Sequence, residues 1–276
     1  VLGASQAWRE VQDRPPPARE AVPPPPGRAG LAERAFGGEA VLDDDELRQA
    51  ATGAVRRGET GRSRRAEERS PVEEVRDELS RAVGTTRGPR LDRRLADAAR
   101  AFERERFGDA ARILRPLASE APSVAAVREL YGLTLYRQGR WRAAAKELEA
   151  FRLLTGSAEQ HPVLADCYRA LERWDDVDAL WLDLRETSPS AALVVEGRIV
   201  AAGARADQGD LAGAIAVLEQ GWKRPKRPQE HHLRRAYALA DLYERAGDVA
   251  RAREVFGWLA SVAPETADVA RRLRSL

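Results

Sequence analysis

The feature that most constrains this chain is a spacing. In "QGRWRAAAKELEAF", Trp141 is followed by a small residue three positions on (Ala144), a large apolar residue seven on (Leu148) and another ten on (Phe151). The pattern recurs at Phe107, Ala110, Leu114 and Leu117; at Trp174, Val177, Trp181 and Leu184; at Leu211, Ala214 and Leu218; and at Val249, Ala252, Phe256 and Leu259. Intervals of three, four and three place these side chains on one face of an α-helix. The small positions 110, 144, 177, 214 and 252 are separated by 34, 33, 37 and 38 residues. A period of that length holds two helices and their turns. Such a unit cannot bury its apolar face alone, so successive units must stack into a continuous core. A first helix precedes each turn with its own stripe, as in Tyr131, Gly132 and Leu135 or Leu239, Ala240 and Tyr243. Glycines 139, 209 and 247 fall between the helices, where a positive-φ stop is needed.

These units occupy only part of the 276 residues. Residues 1–40 contain "RPPPAREAVPPPPGRAG", whose prolines lack amide donors and fix φ, so a disordered Pro-rich tail is expected. Residues 41–90 read as an Arg-rich linker with short helices, one of them within "LDDDELRQAATGAVRR" (42–57), capped by Asp43 to Asp45. A clearer helix is expected over 70–83, with Ser70 as N-cap, Pro71 at the first position, Glu73 in the first turn and Gly84 past the end. Its stripe is Val72, Val75, Leu79 and Val83. Repeats then fill 91–264, with approximate units 91–124, 125–157, 158–191, 195–228 and 233–266. A capping helix over 265–276 completes an all-α solenoid.

The register resembles the tetratricopeptide repeat (TPR), a 34-residue helix–turn–helix unit, over about two-thirds of the chain. Val177 departs from the usual small residue, and the later steps are three or four residues long. Residues 127–171 further resemble a set of uncharacterised actinobacterial TPR proteins. The resemblance implies an all-α fold and a bacterial protein-binding scaffold without enzymatic activity. It also implies a concave groove lined by positions 2, 5, 9, 12 and 13 of each first helix. Those positions carry Asp92, Leu95, Ala99, Phe102 and Glu103; Ala126, Glu129, Leu133, Tyr136 and Arg137; Glu159, Pro162, Asp166, Arg169 and Ala170; Glu196, Ile199, Gly203, Ala206 and Asp207; and Arg234, Tyr237, Asp241, Glu244 and Arg245. Nine acidic groups face four arginines, and Phe102, Tyr136 and Tyr237 offer apolar contact. The expected ligand is a basic or mixed peptide with an apolar anchor.

Residue chemistry points the same way. His161, His231 and His232 stand in no metal or catalytic frame, and Cys167 is a lone cysteine with no base at helical spacing. No phosphate loop, dinucleotide fingerprint or nucleophile elbow occurs, so no cofactor or metal is expected. The lone cysteine fits a reducing compartment, no apolar run approaches membrane-spanning length, and the N-terminus lacks a basic-then-apolar pattern; a cytoplasmic protein is expected. The absence of Met and the opening Val1 fit a GUG start codon read literally.

Net charge is only +2 although 33% of residues are charged, so attraction to a polyanion must be local. Two local sources exist. One is the cluster at 56–65, with Arg56, Arg57, Arg62, Arg64 and Arg65; it is also a tethered basic segment that could fill the acidic groove. The other is "GWKRPKRPQEHHLRR", where an exposed Trp222 joins Lys223, Arg224, Lys226 and Arg227. The alternative reading of the chain is therefore an RNA- or ribosome-associated factor gripping phosphates through these two segments.

Overall fold

The computed structural model describes residues 71–264 and 268–276. The Pro-rich tail, the segment at 42–57, the arginine cluster at 56–65 and Ser70 lie outside the described residues. Twelve helices account for the described fold: α1 (Pro71–Val83), α2 (Gly88–Glu103), α3 (Phe107–Glu120), α4 (Ala125–Arg137), α5 (Trp141–Thr155), α6 (His161–Ala170), α7 (Trp174–Thr187), α8 (Ala191–Asp207), α9 (Leu211–Glu219), α10 (Glu230–Arg245), α11 (Val249–Val262) and α12 (Val269–Ser275). The described residues contain no strand. They form two compact bodies, one ending at Asp183 and one beginning at Leu184.

One turn is used five times. It follows α2, α4, α6, α8 and α10 and always places a left-handed residue at the same register: Glu105 (φ 55°), Gly139 (71°), Glu172 (59°), Gly209 (86°) and Gly247 (77°). The next amide then reaches back five residues. Arg106 donates to the Ala101 carbonyl at 2.8 Å, Arg140 to Leu135 at 3.0 Å, Arg173 to Tyr168 at 2.9 Å, Asp210 to Arg205 at 3.0 Å and Asp248 to Tyr243 at 2.8 Å. These bonds satisfy helix C-terminal carbonyls that would otherwise lack partners and reverse the chain. The Asp210 and Asp248 carboxylates also cap the helices that follow, accepting from the Gly213 and Arg251 amides.

The paired helices carry two series of small side chains at matching repeat positions. On the second helices, Ala110, Ala144, Val177, Ala214 and Ala252 are almost fully enclosed. On the first helices the matching positions are Ala98, Gly132, Ala165, Ala202 and Ala240. Gly132 marks a close approach between α4 and α5: a Cβ there would lie 2.7 Å from Leu148 Cγ and 3.3 Å from the Leu148 backbone nitrogen. The tolerated Val177 shows that this position limits volume rather than demanding alanine.

In the first body, α1 packs on α2, α2 on α3, α3 on α4, α4 on α5 and α5 on α6. Leu79 of α1 is fully buried, and the Glu78 carboxylate accepts from the Ala125 amide at 2.9 Å, supplying an acceptor to the first turn of α4. In the second body, α8 and α9 both pack on α10, which packs on α11. Val269 of α12 closes that core, with Leu273 and Leu276 partly buried beside it. The outward residues Ala270, Arg271 and Arg274 are exposed, so α12 presents a mostly polar surface.

Consecutive units are also tied by a recurring tyrosine. Tyr168 donates to Glu149 and lies under the Arg173 guanidinium at 4.2 Å; at the same repeat position Tyr243 donates to Glu219 and lies under Arg251 at 4.5 Å. The glutamates also share a repeat position.

Gly132→Ala is expected to destabilise the protein by about 1–3 kcal/mol, because overpacking against Leu148 outweighs the gain in helix propensity. Glu172→Gly, which relieves a left-handed backbone at an exposed turn, is expected to leave stability unchanged or raise it by up to about 1 kcal/mol, whereas Gly247→Ala lowers it by about 1 kcal/mol. Urea unfolding of the three variants checks all three signs.

Candidate interaction surfaces

Apart from Glu159, which lies in the turn before α6, the expected groove positions fall on the first helices. In the first body they lie on α2, α4 and α6. Phe102 is 3% exposed and packs edge-on against Phe107, with ring centroids 5.4 Å apart. It is core, not groove lining, because its ring sits over the turn that joins α2 to α3. Arg137 is also engaged: its guanidinium lies 4.5 Å over the Phe107 ring and Nη2 is 3.4 Å from Glu105. It ties the second unit to the first.

Glu129 is buried and accepts from Gln160 Nε2 at 2.7 Å. Gln160 is itself 2% exposed, and its Oε1 has no hydrogen-bond donor among the described residues. A buried carboxylate with one neutral donor is poorly compensated. Burial pushes Glu129 up to about 7, the Gln160 bond opposes that, and Glu159 adds repulsion.

Tyr136, Asp166 and Arg169 come together. The Tyr136 hydroxyl donates to Asp166 Oδ2 at 2.7 Å, and Arg169 Nη1 donates to Asp166 Oδ1 at 3.1 Å. The Tyr136 ring packs edge-on against Trp141 at 5.3 Å, so both aromatics of "YRQGRW" belong to one turn cluster. Burial, then the Asp166 charge, raises the Tyr136 phenol well above its ordinary range. The hydroxyl is therefore a fixed donor bridging α4 and α6. Arg169 remains a quarter exposed at the edge of this cluster.

In the second body, Tyr237 and Asp241 belong to a network centred on a residue that the spacing does not reveal, Arg272 of α12. Tyr237 donates to Asp268 Oδ1 at 2.6 Å and accepts from Arg272 Nη1 at 3.2 Å. The same guanidinium lies 2.8 Å from Asp241 Oδ1, and its Nε donates to Glu244 Oε2 at 2.9 Å. Arg245 is half exposed, 3.8 Å from Asp241. Glu196 is buried against Arg234, Nη2 to Oε2 2.8 Å. In sequence, "RRLRS" carries only the polarity of a terminal helix; which arginine turns inward depends on the packing of α12.

The basic loop departs from expectation. Trp222 is half-buried, edge-on to Trp258 at 6.0 Å and beneath the Arg235 guanidinium at 5.3 Å. Gly221 (φ 68°) and the Trp222 amide, which donates to Glu219 at 2.8 Å, fold the indole back onto the core. It is therefore not a free stacking platform. Arg224 pairs with Glu254 at 2.6 Å, while Lys223, Lys226 and Arg227 are exposed. Arg235 Nε donates to the Leu218 carbonyl at 3.0 Å and Arg198 Nη1 to the Val217 carbonyl at 2.9 Å, so two buried arginines cap the short α9.

Cys167 is fully buried, and burial raises its thiol well above the ordinary range. No cluster of histidine, cysteine and carboxylate among the described residues could hold a metal ion. No described helix is long and apolar enough to cross a membrane.

No protein-family model matches the sequence, and no curated protein does. Solved structures do match. A thermophilic TPR protein of Thermus thermophilus superposes over 67% of this chain and 97% of its own, with a TM-score of 0.51 and 18% identity. PilF of Pseudomonas aeruginosa superposes over 75% of this chain and 86% of its own, with a TM-score of 0.50 and 16% identity.

Glu129 gains a proton on folding between its ordinary range, near 4.5, and about 7. Its contribution is therefore most favourable below the ordinary range, falls as pH rises toward 7, and is constant above it. Glu129→Gln is expected to melt higher than wild type at pH 8 and close to it at pH 5, by a free energy on the order of a few kcal/mol at the alkaline end. Melting curves across that pH range check it. Together, the repeat geometry and these superpositions assign the chain a TPR-like fold.

Proposed function

We propose that the chain is a non-enzymatic interaction scaffold that takes a peptide on the first-helix face of its first body, with Tyr136, Asp166 and Arg169 at the contact. The Tyr136–Asp166–Arg169 cluster carries this reading. It bridges two first helices, its donor and acceptor are fixed in place, and Arg169 retains exposed surface. A preorganised polar group beside apolar packing is the kind of centre around which binding energy concentrates.

Internal pairing changes the ligand chemistry expected from charge alone. Asp92 faces Arg76 at 3.3 Å, Asp166 faces Arg169, Glu196 faces Arg234, and Asp241 and Glu244 share Arg272. At least five of the nine groove carboxylates thus have arginine partners, and Glu129 is buried. A peptide of mixed charge with an apolar anchor fits better than a strongly basic one.

The test is selection of peptides from a random library on the full chain, followed by affinity measurement on Asp166→Ala and Arg169→Ala. A selected peptide should bind each variant at least tenfold more weakly than wild type, about 1.4 kcal/mol. Unchanged affinity for both variants removes this face as the binding site.

A further inference from the structure

The first and later units differ sharply at one set of repeat positions. In register, position 93 corresponds to 127, 160, 197 and 235; position 97 to 131, 164, 201 and 239; and position 100 to 134, 167, 204 and 242. Every one of those later residues is buried. In α2 the same positions hold Arg93, Asp97 and Arg100, all exposed, with Arg90 and Arg104 continuing the stripe above and below. Arg100 pairs with Asp97. Arg90, Arg93 and Arg104 face no carboxylate among the described residues.

A polar end face is required wherever a stack of repeats stops, since an apolar one would aggregate. That requirement explains polarity but not sign. A chain with 46 basic and 44 acidic residues could end on a mixture, yet this face carries four arginines and one aspartate. From Arg90 to Arg104 the stripe runs about 21 Å along the helix at 1.5 Å per residue. It presents guanidinium groups, whose planar forks suit phosphate, at intervals along a line.

We propose that the α2 arginine stripe is a nucleic-acid phosphate-binding surface, read without base specificity and separate from the peptide face. No aromatic ring lies on the stripe, so recognition is electrostatic and salt-sensitive rather than sequence-selective.

The test uses a fluorescently labelled mixed-sequence single-stranded RNA 20-mer and the full chain, with anisotropy titrations from 50 to 200 mM salt. Wild type should bind, with affinity falling steeply as salt rises. R90E/R93E/R104E should lose at least tenfold, and the slope of log affinity against log salt should shrink by about 2, three phosphate contacts at roughly 0.7 each for a single strand. A control, R115E/R142E/R152E, makes the same charge change at exposed arginines of α3 and α5 and should keep most of the affinity. Circular dichroism confirms that both variants fold. Absence of wild-type binding at 50 mM salt, or equal losses in the two variants, overturns the proposal. So does binding of a polyglutamate probe in place of RNA, which would mark an acidic polypeptide as the ligand.

Discussion

The structure depends on the close approach of two helix backbones at small side chains. Ala110, Ala144, Val177, Ala214 and Ala252 on the second helices, and Ala98, Gly132, Ala165, Ala202 and Ala240 on the first, recur in register. Larger side chains there would hold the helices apart and leave the flanking leucines with voids, and interiors tolerate neither. Each helix pair then offers a broad apolar face that only a neighbouring pair can cover. The five equivalent turns make the approach possible by ending each first helix abruptly in a left-handed residue.

Much of this architecture is legible in the sequence because it arises from local periodicity. The spacing of Trp141, Ala144, Leu148 and Phe151 encodes a helix face, and Gly139 encodes the stop before it. The turns at Glu105 and Glu172 are less visible, since a glutamate gives no sign of a positive φ. Tertiary packing imposes that conformation against a local cost of roughly 1–2 kcal/mol.

The candidate surfaces are less legible, for a different reason. Whether Glu129 meets Gln160, or Arg272 reaches Asp241 and Glu244, is decided by side chains crossing between helices separated in sequence. A repeat-position rule assigns Phe102 and Tyr136 to the same kind of site. Only packing separates them: Phe102 closes a turn, whereas Tyr136 holds Asp166. Trp222 illustrates the same limit, because its basic neighbours suggest an open ring while Gly221 folds the indole onto Trp258.

The two arginines that cap α9 have a wider consequence. Arg198 and Arg235 hold the carbonyls of Val217, Leu218 and Gln220 from two different helices, which fixes the end of α9 independently of the loop beyond it. The segment from Lys223 to Pro228 then leaves from an anchored point and returns to α10 at Glu230. Its length is not policed by the core. This is where a repeat array can accept extra residues without losing register, and the 38-residue step between Ala214 and Ala252 is the longest of the four.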